Sequence, residues 1–338
     1  MSAGDSRLRA LELWARACLE GRGVKLPGDF QLQPASDDAS FRRYFRYRGN
    51  PKFIFVDAPP ALEDSRPFIA IAAILASAGL NAPEVFEHDL DSGFMMLKDL
   101  GEDLYFDKLS HADQIEQLYQ DAFAALAKMQ HISATLISYD EDLLRDEMSL
   151  FSEWFLSRQL NVECAPEMLD EVFGLMIANA TSQPQVFVHR DYHCRNLMVA
   201  EPNPGIIDFQ DAVIGPVTYD LVSLLKDCYH KFPVDQIERW VLEYRARLVT
   251  EGQIVTEVSD ATFLRWFDLM GFQRHLKCAG IFSRLHLRDG KTGYLADIPL
   301  VLQYLSEVCE RYDELNPFGS WLREVVVPRL DSKEYVRR

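Results

Sequence analysis

The chain has 338 residues, 48% of them hydrophobic and 12% aromatic, enough for one large or two modest domains around a substantial core. Its formal charge of −17, with an isoelectric point near 4.9, argues against nucleic acid or an anionic membrane as the main partner. The six cysteines are scattered with no C-x-x-C pair, which suits reduced thiols in a cytoplasmic protein, and no run of about 18 apolar residues offers a membrane span.

Asp5, Arg7, Arg9 and Glu12 leave no room for a signal-peptide hydrophobic region. Instead Leu8, Leu11, Trp14, Ala15 and Cys18 share one face of a predicted helix. Residues 30–33, 41–47 and 53–56 read as three strands, separated by the turn formers Ser36-Asp37-Asp38 and Gly49-Asn50-Pro51. Pro67 opens an apolar helix that runs to residue 78 and closes at Gly79; being apolar nearly all round, it is expected to be buried. Short strands follow at 85–86 and 94–97. Beyond Gly101 the period changes. Ile115, Leu118, Ala122, Leu126 and Met129 mark an amphipathic helix, with others expected at 140–158, 167–182, 217–229, 234–251, 259–285 and 295–311.

Strand-like segments interrupt this helical run only between residues 186 and 209, and there the chemistry concentrates. His189-Arg190-Asp191 is followed by Asn196 five residues after the aspartate, and Asp208 ends the apolar stretch Gly205-Ile206-Ile207. Phosphoryl transfer from Mg-ATP needs this set: Asp191 where an acceptor hydroxyl arrives, and Asn196 with Asp208 offering oxygens to Mg²⁺, a hard cation. Two look-alikes fail the same test. Arg288-Asp289 has Tyr294 where the asparagine belongs, and Gly290-Lys291-Thr292 has Leu285 where a phosphate-binding loop needs glycine.

A sheet-rich segment followed by a helical one that carries the loops predicts an α+β, bilobal, protein-kinase-like fold. Its small antiparallel-sheet lobe, residues 1–100, would bind nucleotide, and its larger helical lobe, 101–338, would hold the catalytic and substrate groups. The nucleotide is expected between them, with the backbone of Leu97, Lys98 and Asp99 holding the adenine and Arg195 helping to neutralise phosphate.

The stretches 36–45, Asp57-Ala58-Pro59-Pro60, Leu97-Lys98-Asp99-Leu100-Gly101, 188–196, 207–220 and 268–280 together resemble the aminoglycoside phosphotransferase/choline kinase group. Within it they are most similar to the bacterial anomeric sugar kinases that act on N-acetylmuramate and N-acetylglucosamine in peptidoglycan recycling. The resemblance implies ATP-dependent transfer to the anomeric hydroxyl of a small-molecule amino sugar. His193, two residues after Asp191, is placed to touch that sugar, with a packed loop histidine as the competing reading. It also exposes a departure. The strand at 53–57 has no lysine for the phosphates, and the helix at 67–79 has no glutamate to pair with one. Losing both together is coherent, since either charge alone would be costly to bury. Arg42 or Arg43 must then supply the positive charge, because alternation sends only one of them to the cleft. Arg43 is the expected residue, helped by Ser40 and the N–H groups of the turn.

For the acceptor, residues 273–291 hold Arg274, His275, Lys277, Arg284, His286, Arg288 and Lys291 against one acid, Asp289. Arg274 and Lys277 are the candidates for an anionic substrate group such as a lactyl carboxylate; a solvated basic stripe is the competing reading. Aminoglycoside or choline phosphorylation, or a non-catalytic nucleotide-binding protein, remain alternatives. No nucleic-acid or membrane partner is expected, and the protein is expected to be a monomer or weak oligomer.

Overall fold

In the computed structural model, which describes residues 5–36, 41–330 and 335, the chain divides into two units. The first comprises Met1–Ser110 with Arg195–Asp211, the second His111–Cys194 with Ala212–Arg338.

The first unit opens with helix α1 (Ser6–Gly21), whose N-cap Asp5 accepts from the Leu8 N–H at 3.0 Å. Strands β1 (Gln33–Ser36), β2 (Arg43–Tyr47) and β3 (Phe53–Asp57) follow, then helix α2 (Arg66–Ser77), β4 (Val85–Asp89), β5 (Phe94–Lys98) and the short α3 (Tyr105–Lys108). The five strands form one antiparallel sheet in the order β1-β2-β3-β5-β4. Alternation decides its two faces. Phe45, Phe53, Phe55, Phe94 and Met96 point at Leu11, Ala15 and Leu19 of α1, with Trp14 edge-on to Phe55 at 6.1 Å. Arg43 pairs in register with Asp57, and Asp57 with Phe94, so these residues share that face.

The first strand lies later than the sequence suggests, at 33–36 rather than 30–33. The Leu32 N–H donates to Glu12 Oε1 at 3.1 Å, tying that backbone to α1, and Phe30 packs on Tyr47 instead of entering the sheet.

The second unit holds α4 (Ala112–Gln130), α5 (Glu141–Leu150), α6 (Pro166–Thr181), strand β6 (Gln185–Val188), α7 (Tyr219–Leu225), α8 (Val234–Thr250), α9 (Asp260–Asp289) and α10 (Ile298–Arg311). The helix expected at 140–158 is α5 continued by a wider π-helical segment, Phe151–Leu160, which ends at left-handed Asn161. α7 is shorter than its apolar run because Asp227, just past its end, accepts from the Tyr229 N–H at 2.9 Å and turns the chain. The 30-residue α9 is the axis of this unit and packs against α5, α6, α7, α8 and α10. Gly280 permits the closest approach: a Cβ there would lie 2.3 Å from the Leu150 carbonyl carbon. A small antiparallel sheet and a mostly helical remainder make this the expected α+β kinase-like fold. Among the described residues no helix is long and apolar enough to cross a membrane.

Candidate active site

In the second unit the loop carrying Asp191 is tied down on all sides. The backbone N–H groups of His189 and Arg190 donate to the two oxygens of Asp220 at 2.7 and 3.0 Å. That double grip holds Arg190 at φ 77°, a left-handed conformation unfavourable for a residue with a Cβ. Burial pushes the Asp220 carboxyl up to about 7 against the pull of those donors. Tyr192 donates its hydroxyl to the Ala122 carbonyl at 2.9 Å, and Cys194 donates its thiol to Asp227 at 2.8 Å. Asp191 itself is half-buried, its N–H donating to His189 Nδ1 at 3.2 Å.

The field around Asp191 comes from α9 and from its own loop. Burial raises its carboxyl, but Lys277, His193, Arg274 and His189 outweigh that and hold it below the ordinary carboxylate range. A carboxylate kept ionised in a protected loop can accept a proton from a bound hydroxyl.

Lys277 is buried, with Nζ 2.9 Å from Glu147 and 3.1 Å from the Tyr219 hydroxyl. Glu147 also accepts from Arg190 and from the Tyr139 hydroxyl. Arg274, buried too, places Nη1 3.5 Å from Cys278 Sγ and 3.6 Å from Cys228 Sγ. His193 is buried, edge-on to Tyr229 at 5.5 Å. The basic run 273–291 is therefore no single surface stripe: its first half is interior, while Arg288 is exposed and paired with Asp289. Glu147 is the functional candidate that the sequence reading missed. The signal was present, since Glu147 falls among Leu144, Met148 and Phe151 on one apolar helical face.

In the first unit, Asn196 and Asp208 stand side by side. The pairs Leu197↔Ile206 and Met198↔Gly205 fold the segment into a hairpin, and the Ile207 N–H donates to the Asn196 carbonyl at 3.1 Å. Asn196 Nδ2 is then 3.2 Å from Asp208 Oδ2, and Gln210 Nε2 is 2.8 Å from Oδ1. Asp208 is exposed and left-handed at φ 63°, a conformation aspartate tolerates better than most residues. Among the described residues no group of three or more His, Cys, Asp or Glu side chains could hold a metal. An amide and a carboxylate in contact do fit a cation that completes its shell with phosphate and water.

The other candidates of this unit are spread over the sheet. Arg43 lies on the α1 face, with its guanidinium held by Asp57 and Asp5; Arg7 reaches the same Asp57. Arg43 holds the Asp5 carboxyl down at about 2. Leu97 is buried in β5, paired with Ile54 and Val85. The Asp99 carboxylate is taken by Arg46 at 2.7 and 3.1 Å and by the Gly101 N–H at 2.9 Å. Arg195 sits over the Phe106 ring at 4.7 Å. Ser40 lies outside the described residues.

Residues 31–253 match the phosphotransferase enzyme family. The chain belongs to that family. The match spans the sheet, the Asp191 loop and the Asn196–Asp208 hairpin, and it ends before α9. The phosphotransferase is 44% identical over 330 residues to a Pseudomonas aeruginosa protein named N-acetylmuramate/N-acetylglucosamine kinase, covering 94% of this chain and 96% of that one. A Neisseria meningitidis protein of the same name is 37% identical over 309 residues, with 88% and 91% covered. Among solved structures, the choline kinase LicA of Streptococcus pneumoniae superposes with a TM-score of 0.61 at 12% identity, covering 88% of this chain and 99% of that one. An ADP-bound aminoglycoside phosphotransferase gives 0.58 at 15% identity, covering 88% and 98%. At such identities these two likenesses establish the fold.

Proposed function

We propose that this phosphotransferase moves the γ-phosphoryl group of ATP to the anomeric hydroxyl of N-acetylmuramate or N-acetylglucosamine. The observation that carries the reading is the end-to-end likeness to relatives named for that reaction, 44% over 94% of the chain in the first case. The geometry of both units supports it.

In this reading Asp191 takes the proton of the sugar hydroxyl as its oxygen bonds to the γ-phosphorus and the bond to the ADP leaving group breaks. Lys277, Arg274, His193 and His189 keep the carboxylate charged and ready for that proton. Asp220 and Asp227 fix the loop so that the base does not need to be reoriented at each turnover. Asn196 and Asp208 would hold Mg²⁺, which supplies charge neutralisation for the phosphates when bound. Leu97 and Asp99 would flank the adenine and Arg195 the phosphates. Lys277 and Arg274, with His193, would face an anionic or hydroxyl-bearing part of the sugar. None of the six cysteines is in a disulfide, which suits work in the reducing cytoplasm.

The test is a panel of N-acetylmuramate, N-acetylglucosamine, aminoglycosides and choline, each with Mg-ATP, read by phosphorus NMR. An acid-labile, alkali-stable sugar phosphate is expected from the two amino sugars. Transfer to aminoglycosides or choline and not to amino sugars would overturn the reading.

A further inference from the structure

The strand lysine and helix glutamate that usually position ATP phosphates are both absent from this chain. We infer that Arg42, held by Glu63, is the cation set against the nucleotide phosphates in their place, an assignment that rests on the kinase reading above.

Arg42 and Arg43 are neighbours with opposite destinations. Arg43 turns to the α1 face and the carboxylates of Asp57 and Asp5. Arg42 turns the other way and is 5% exposed, with Nη2 3.4 Å from Glu63 and 3.4 Å from the Asp64 carbonyl. Its guanidinium lies 5.9 Å from the centre of the Phe68 ring in the first turn of α2. Phe68 in turn packs against Phe209 at 4.8 Å, and Phe209 directly follows Asp208. Arg42 is thus on the side of the sheet that faces the Asn196–Asp208 hairpin, and Arg43 is on the side that faces α1.

The other cations on the same side or nearby have different duties. Arg46 is spent on Asp99, Glu102 and the Gly101 carbonyl, and Lys98 donates to Asn81 at 3.1 Å. Glu63 matches the missing glutamate in role, although it precedes α2 instead of lying within it. It neutralises a buried cation and also accepts from the Phe41 N–H at 3.3 Å, tying down the backbone just ahead of β2. A guanidinium can hold a carboxylate and a phosphate oxygen together, which an ammonium does with less geometric control. The lysine–glutamate pair of other kinases has here become an arginine–glutamate pair, displaced by one strand.

The experiment measures ADP and adenosine binding by calorimetry on the full chain, for the unmodified protein and for Arg42→Gln, Arg42→Lys, Glu63→Gln and Arg43→Gln. Arg42→Gln is expected to weaken ADP about tenfold or more, as for loss of a charged hydrogen bond, with adenosine within about twofold. Arg42→Lys should recover part of the ADP affinity. Glu63→Gln should weaken ADP selectively but less. In steady state, Arg42→Gln should raise the KM for ATP and leave that for the sugar unchanged. Equal loss of ADP and adenosine, undiminished ADP binding, or a selective ADP defect in Arg43→Gln alone would each overturn the assignment. An unmodified protein that binds ADP and phosphorylates sugar separates such a failure from failure of the kinase reading; one that binds no ADP overturns both.

Discussion

Lys277 reaches across from α9 to stand 2.9 Å from Glu147 of α5, and its charge bears on Glu147 and Asp191 alike. Glu147 is held below the ordinary carboxylate range: burial raises it, and Lys277 and Arg190 more than compensate. Lys277 is also the largest influence lowering the Asp191 carboxyl. Both groups are ionised more readily in the folded chain, so their contribution to stability is present above the ordinary carboxylate range and lost as pH falls through their folded values. If Asp191 is the base, Lys277→Met should therefore move the acid limb of the kcat/KM profile to higher pH while Arg190 keeps Glu147 partnered. A pH–rate profile on both proteins checks this, and an unmoved acid limb would contradict it.

The contact between Asn196 and Asp208 carries a second prediction. If the two hold Mg²⁺, Asn196→Ala should need more Mg²⁺ to reach half-maximal rate, and Asp208→Asn should lose about a hundredfold or more in kcat. Both variants should melt close to the unmodified protein, because Asp208 is exposed and Asn196 half-buried. Titration of rate against Mg²⁺ decides the matter; identical Mg²⁺ curves for Asn196→Ala and the parent would remove Asn196 from the metal site.

How much of this was legible beforehand depends on whether the determinant is local. The helices of the second unit follow from the spacing of apolar residues, and the Asp191, Asn196 and Asp208 pattern from residues close in sequence. Strand alternation told that Arg42 and Arg43 must part company, but not which face α1 would cover; that depends on Leu11, Ala15 and Leu19 meeting Phe45 and Phe55. The basic run at 273–291 left two readings open, an anion site or a solvated stripe. The second fails for Arg274 and Lys277 only because Glu147 and Tyr219, far away in sequence, are brought to Lys277 in the interior. Long-range ion pairs leave only a faint trace, such as a glutamate on an apolar helical face.

Gly280 marks where α9 passes Leu150 most closely, with a Cβ at that position 2.3 Å from the carbonyl carbon and 2.5 Å from its oxygen. Those atoms are backbone and cannot swing aside as a side chain would. Gly280→Ala should push the helices apart and cost about 1–3 kcal/mol, the usual range for overpacking, despite alanine's better helix propensity. Thermal melting followed by circular dichroism should show a Tm lower by several degrees. A Tm equal to or above that of the parent would mean that this approach is looser than the structure indicates.

His275 is fully buried in α9, stacked on Tyr304 at 4.7 Å, with Nε2 donating to the Lys226 carbonyl at 2.9 Å. Burial lowers its imidazole to about 3, and the neighbouring Arg274 and Lys226 add to the effect. The folded chain thus keeps this histidine neutral at a pH where the unfolded chain protonates it. Between its ordinary value and about 3 the unfolded state binds the extra proton, so stability rises with pH through that window and is lost on acidification. One such site contributes a slope of about 1.4 kcal/mol per pH unit well inside the window. Carboxylates steepen the acid limb as well, and only a comparison isolates the histidine. His275→Gln should be less stable at pH 7, having lost the ring stack, yet its stability should fall more gently from pH 6.5 to 4.5. Urea unfolding of both proteins across that range measures the difference. Parallel curves would show that His275 takes up a proton in the folded chain, and the stack on Tyr304 would then be holding an imidazolium.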